Sequence, residues 1–133
     1  MKQTFLRWTP RIICILAIPL ISLFALDSFN ADQTFWQKVG AFVMHLIPSY
    51  IMILLTFVAW KKELIGGILL VLVSLVAGYF IGAYNYDTFH SVRLTIWIVT
   101  ALTGPFLLAG VLFIVSYMYA KKVKKQVSNR ITE

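Results

Sequence analysis

The stretch Leu64–Tyr84, LIGGILLVLVSLVAGYFIGAY, holds 21 residues without a single charge. At about 1.5 Å per helical residue it reaches about 31 Å, the thickness of the hydrocarbon layer of a membrane. Three further stretches of the same kind flank it: Ile12–Phe29, Val39–Trp60 and Leu94–Ala120. The chain has 133 residues, of which 60% are hydrophobic and 13% charged. A soluble fold of this size could not hide four such stretches, so lipid must cover much of them.

The pattern predicts one all-α domain over residues 1–133, an integral membrane bundle of four transmembrane helices running up-down-up-down with antiparallel neighbours. The helices are expected near 10–29, 34–60, 63–84 and 92–120, followed by a frayed polar tail over 121–133. Thr9 and Pro10 read as the N-cap and first position of helix 1. Asp32 or Thr34 can cap helix 2. The connection at Trp60-Lys61-Lys62-Glu63 is so short that helices 2 and 3 must form a tight hairpin. Glu63 suits the start of helix 3, where a negative charge meets the positive end of the helix dipole. Pro19 is expected to kink helix 1, and Gly104-Pro105 to interrupt helix 4.

The basic residues are unevenly placed. Lys2, Arg7, Arg11, Lys61, Lys62, Lys121, Lys122, Lys124, Lys125 and Arg130 fall on one side of this topology, and only Lys38 and Arg93 on the other. The positive-inside rule then puts both termini in the cytoplasm. The net charge of +7 is accounted for by these flanking residues. They form no basic soluble face, so nucleic acid is not an expected partner. Residues 1–29 have the charged start and apolar run of a signal peptide, but no small-x-small cleavage site follows. Helix 1 is therefore expected to remain as an anchor.

Polar residues within the apolar stretches are the candidates for function, because each is costly in lipid. His45 leads them, about 9 Å into helix 2. Ala41, His45, Ser49, Met52 and Thr56 recur at helical spacing and form a small or polar stripe that should face the bundle interior. Asp27, near the outer end of helix 1, matches His45 in depth. Two readings stay open: a neutral packing histidine, or a His45–Asp27 site with Ser49 nearby on a proton or solute path. At the opposite end, Glu63 among Arg7, Arg11, Lys61 and Lys62 is either an Arg11–Glu63 bridge or a solvated capping carboxylate. Helix 3 carries Gly67, Ser74, Gly78 and Gly82 on one face, which permits close approach of another helix in this chain, in a second copy or in another membrane protein. Thr100, Thr103 and Gly110 form a similar stripe in helix 4 beside Gly104.

Cys14 is the only cysteine. Intramolecular disulfides and cysteine-pair redox sites are thereby excluded. His45 and His90 are the only histidines, and His90 falls in a connection, so neither a metal nor a haem site is expected. No cofactor signature is present, and Ser49 lacks the context of a hydrolase nucleophile. An enzyme is not expected.

Across roughly residues 7–120 the chain resembles a group of small bacterial four-helix membrane proteins of unknown function. The resemblance is carried by Arg7-Trp8-x-Pro10-Arg11, Asp27, His45-x-x-Pro48, Ala59-Trp60-x-x-Glu63-x-x-Gly67 and Gly104-Pro105 with Gly110. It implies a bacterial inner-membrane location and brings no activity. The leading expectation is a non-enzymatic accessory or scaffold subunit acting through helix–helix contacts. The alternative is a small transporter or channel component using His45 and Asp27.

Overall fold

The computed structural model describes residues 2–23 and 34–131, the side chains of Lys2, Gln3, His45 and Ile131 excepted. It contains four helices: α1 Lys2–Leu23, α2 Phe35–Lys61, α3 Glu63–Phe89 and α4 Val92–Ile131. All four are long and apolar enough to cross a membrane. Helix is the form such a chain must take, because lipid offers no partner for a backbone N–H or C=O and a helix satisfies both internally.

The ends of the helices follow local chemistry. Thr34 precedes α2 in extended conformation, and its N–H donates to the Gln37 side chain at 3.0 Å. Lys62 alone separates α2 from α3, with its N–H on the Val58 carbonyl and its own carbonyl accepting from Gly66. His90 ends α3 in the left-handed region, φ 48°, and its N–H still reaches the Tyr86 carbonyl at 2.9 Å.

Three expectations are corrected. Helix 1 does not begin at Pro10: it starts by Lys2, and Thr9 turns its hydroxyl back to the Phe5 carbonyl at 2.8 Å rather than capping. Pro10 lies inside the helix and is buried. Helix 3 runs five residues beyond Tyr84, to Phe89. Helix 4 passes through Gly104-Pro105 as one element and continues to Ile131, so the expected frayed tail is helical over most of its length. At 40 residues α4 is about 60 Å long, roughly twice the hydrocarbon thickness.

Each helix packs against two neighbours, in the cyclic order α1–α2–α3–α4. Paired residues run in opposite directions along α1–α2 and along α3–α4. Ser22 meets Ser49 while Arg11 lies by Trp60. Gly67 meets Gly110 while Gly82 lies by Val99. The closest approaches are made at glycines near one end. Gly66 sits directly on the Ala59 backbone, and Gly67 on the Gly110 carbonyl. At Gly78 and Gly82 the nearest α4 atoms, from Val99 and Thr103, stand at ordinary contact distance.

Small and apolar residues fill the interior. Cys14, Ala59, Leu70, Phe106, Ala109 and Phe113 are completely buried, with Ala17 and Met52 nearly so. The outer surface is also apolar: Leu16, Leu54, Leu72, Phe80, Trp97 and Leu108 are all more than half exposed. An outside this greasy is a lipid contact, since no soluble surface carries so large a patch.

Candidate functional site

The most connected polar group in the described structure is the Glu63 carboxylate. It opens α3, with only 14% of its side chain exposed. From α1, Arg7 and Arg11 stand one turn apart and so project from the same face. Arg7 Nε lies 3.6 Å and Arg11 Nη2 3.8 Å from the same oxygen, Glu63 Oε1. These are ion pairs rather than short hydrogen bonds. From α4, the Ser116 hydroxyl donates to Oε2 at 3.3 Å.

Arg11 extends the network to α2. Its guanidinium carbon lies 5.7 Å from the centre of the Trp8 ring and 5.8 Å from that of Trp60. Both distances are within the range where a cation is attracted to the π face. The planar guanidinium can pair with a carboxylate and lie against indoles together, which an ammonium cannot do equally well. Arg11 Nε is itself buried and makes no hydrogen bond. One charge cluster therefore touches all four helices: Arg7, Trp8 and Arg11 of α1, Trp60 of α2, Glu63 of α3 and Ser116 of α4.

Open clefts surround this cluster. One of about 550 Å³ is bordered by Arg7, Arg11, Lys61, Lys62 and Glu63. Another of about 520 Å³ is bordered by Arg7, Glu63, Lys121 and Lys124. Tyr117 lines both. The cations outnumber the single acid, so the end of the bundle formed by the start of α1, the α2–α3 link and the far half of α4 is strongly positive.

Arg11 and Glu63, candidates for an ion pair on sequence grounds, are thus brought together. Ser116 belongs to the same cluster and was not singled out, while Trp8 and Trp60, quoted above only within the end motifs, join it through Arg11. A signal for Ser116 exists: it continues the spacing Thr103, Phe106, Ala109 or Gly110, Phe113, all of them buried.

The intramembrane candidates divide differently. Asp27 and the His45 side chain lie outside the described residues. Ser49 is buried and accepts a hydrogen bond from Ser22 at 3.2 Å. Met52 and Thr56 are buried too, so the part of this stripe from Ser49 to Thr56 faces inward. On α3, Gly67 and Ser74 are buried, and the Ser74 hydroxyl makes no hydrogen bond. Gly78 and Gly82 are partly buried against α4. On α4, Gly110 is buried against α3, while the nearest atom to a Cβ on Gly104 belongs to Thr100 of the same helix. Among the described residues no group of three His, Cys, Asp or Glu side chains could hold a metal ion.

Searches of curated proteins and of solved structures gave no match. A domain family does match, over nearly the whole chain, and it carries no assigned chemistry. The four-helix fold and the charged cluster at its basic end are therefore those of a member of the family described as Domain of unknown function (DUF7670), which matches residues 1–126.

Proposed function

We propose that this chain is a non-enzymatic accessory or scaffold subunit of the bacterial inner membrane. Both termini lie in the cytoplasm, and the protein acts through contacts between helices and at its basic end. One observation carries the reading. Among the described residues the interior is packed with large apolar side chains, Leu70, Phe106 and Phe113 completely buried and Met52 4% exposed, and the polar side chains buried among them, Ser49, Thr56, Ser74 and Thr103, are uncharged hydroxyls. A path for ions or polar solutes needs a continuous polar or water-filled lining, which hydroxyls set among Leu70, Met52, Phe106 and Phe113 do not supply.

The orientation follows from the charges. Arg7, Arg11, Lys61, Lys62, Lys121 and Lys124 converge on one end, which the positive-inside rule assigns to the cytoplasm. The Glu63 cluster ties the four helices at that end and supports a preset platform rather than a reacting centre.

Reconstitution tests this directly. The purified protein in liposomes should carry neither protons nor small ions above the lipid background. Isolation of the intact protein from its native membrane should bring stoichiometric partner subunits with it. Proton- or solute-coupled flux by the pure protein would overturn the proposal in favour of a transporter built on His45 and Asp27.

A further inference from the structure

A third groove, of about 760 Å³, lies beside the charge cluster and differs from the other two. Leu64 of α3 and Val115 and Met118 of α4 line its apolar part. Lys121, Lys122 and Lys125 line its other end, and no acid borders it. Along α4, Tyr117 precedes Met118, and Tyr119 follows it just before the lysines. Val115 is 44% and Met118 62% exposed, so the apolar part is open from outside.

On a helix that crosses a membrane, this order runs from the hydrocarbon toward the headgroups. Val115 and Met118 end the apolar run of α4. The tyrosines occupy the level where amphipathic rings prefer to sit. The lysines begin the polar extension of the helix one turn further on. An occupant must match all three levels: apolar below, hydrogen-bonding in the middle and negatively charged above. We propose that this groove is a specific binding site for an anionic phospholipid. Its phosphate sits among Lys121, Lys122 and Lys125, and the upper part of an acyl chain lies along Leu64, Val115 and Met118.

The charge pattern separates this groove from its neighbours. In those, Glu63 offsets part of the positive charge. Lys122 and Lys125 border neither of those clefts, no acid lines this groove, and basic pockets between helices at this level suit acidic headgroups. A second copy of the chain would present the same lysines and be repelled. Free phosphate would satisfy the lysines but make no use of the apolar part.

The test uses the full-length protein in detergent and a phosphatidylglycerol, with a phosphatidylcholine of the same acyl chains as comparison. Bound lipid is read by native mass spectrometry, and folding by helical content and melting. The wild type should retain phosphatidylglycerol preferentially. Lys122→Gln with Lys125→Gln should weaken that retention by roughly 25-fold, at roughly fivefold per lysine near a membrane surface. Lys38→Gln with Arg93→Gln removes the same charge from the opposite end and should leave retention nearly unchanged. Met118→Trp, at a half-exposed position that does not support the core, should also weaken it, with every charge intact. An equal loss in the opposite-end pair would mean a diffuse charge effect and overturn the site. So would equal retention of phosphatidylcholine, or an unaffected Met118→Trp protein. Displacement of the lipid by millimolar inorganic phosphate would show a phosphate site without a lipid role, and would equally overturn it.

Discussion

Gly67 and Gly110 face each other backbone to backbone across the α3–α4 contact. A Cβ on Gly67 would fall 2.8 Å from the Gly110 carbonyl oxygen, and one on Gly110 2.9 Å from that of Gly67. Neither carbonyl can swing away, because each belongs to a helix ladder. The two helices can lie this close only while both positions lack a side chain.

Substitution should therefore rank the glycines. Gly67→Ala and Gly110→Ala force a helix shift and should each cost about 1–3 kcal/mol, as overpacking does. Gly78→Ala and Gly82→Ala place a methyl 3.5 Å from Val99, an ordinary contact, and should be nearly neutral. Melting of the four variants in one detergent checks the order. A melting loss at Gly78 equal to that at Gly67 would contradict it.

The carboxylate of Glu63 answers two arginines, a serine and the start of its own helix. Glu63→Ala should destabilise the protein by about 1–3 kcal/mol, below the range for a fully buried pair because water reaches part of both arginines. Arg11→Lys should recover only part of the loss caused by Arg11→Ala, since an ammonium cannot lie against Trp8 and Trp60 as a guanidinium does. Double-mutant cycles should give Arg11–Glu63 a larger coupling than Arg7–Glu63. Arg11 is the less exposed arginine, at 23% against 54%. Equal couplings would remove the indoles from the account.

His90 holds a left-handed conformation that costs most residues energy, though histidine tolerates it better than β-branched side chains. His90→Gly should leave stability unchanged or raise it by up to about 1 kcal/mol. His90→Val should lower it. Thermal melts of the two variants give the comparison, and a stable valine variant would mean that the turn readily changes shape.

Topology is checked with reporters. Fusions after residue 131 and within the 85–92 segment should report opposite sides of the membrane, with the former cytoplasmic. An external signal from the C-terminal fusion would reverse the assignment of the basic end.

His45 separates the scaffold from the transporter. A packing histidine needs a hydrogen bond and a volume, both of which glutamine supplies. A proton relay needs a group that titrates near neutral pH. His45→Gln should be nearly silent in any cellular assay that a deletion reveals, and His45→Leu should mainly lose stability. A well-folded but inactive His45→Gln protein would favour the relay.

The spans and the α2–α3 hairpin were legible because lipid leaves the sequence little freedom: charges must stop where the hydrocarbon starts. The extension of α4 was hidden for a related reason. Lys121–Arg130 has no apolar stripe and would not start a helix alone, but α4 has already met the cost of nucleation and each added residue needs only to propagate. Pro10 misled for the opposite reason. It is best suited to a first turn, yet the helix continues through it and loses one hydrogen bond, to the Leu6 carbonyl. The charge cluster was half visible. Arg7 and Arg11 advertise a shared face by their spacing, whereas Ser116, 53 residues from Glu63, is brought there only by the crossing of α3 and α4.

The α2–α3 and α3–α4 links leave almost no slack. One residue, Lys62, joins α2 to α3, and two, His90 and Ser91, join α3 to α4. A residue spans at most about 3.8 Å, less than the 5.4 Å needed to slide a helix by one turn. Any such ratchet between α2 and α3 would have to unwind a helix end at the Lys62 joint. Sliding of α3 against its sequence neighbours must therefore show as fraying at the Lys62 and His90 corners, and hydrogen exchange at those backbone amides is where it can be timed.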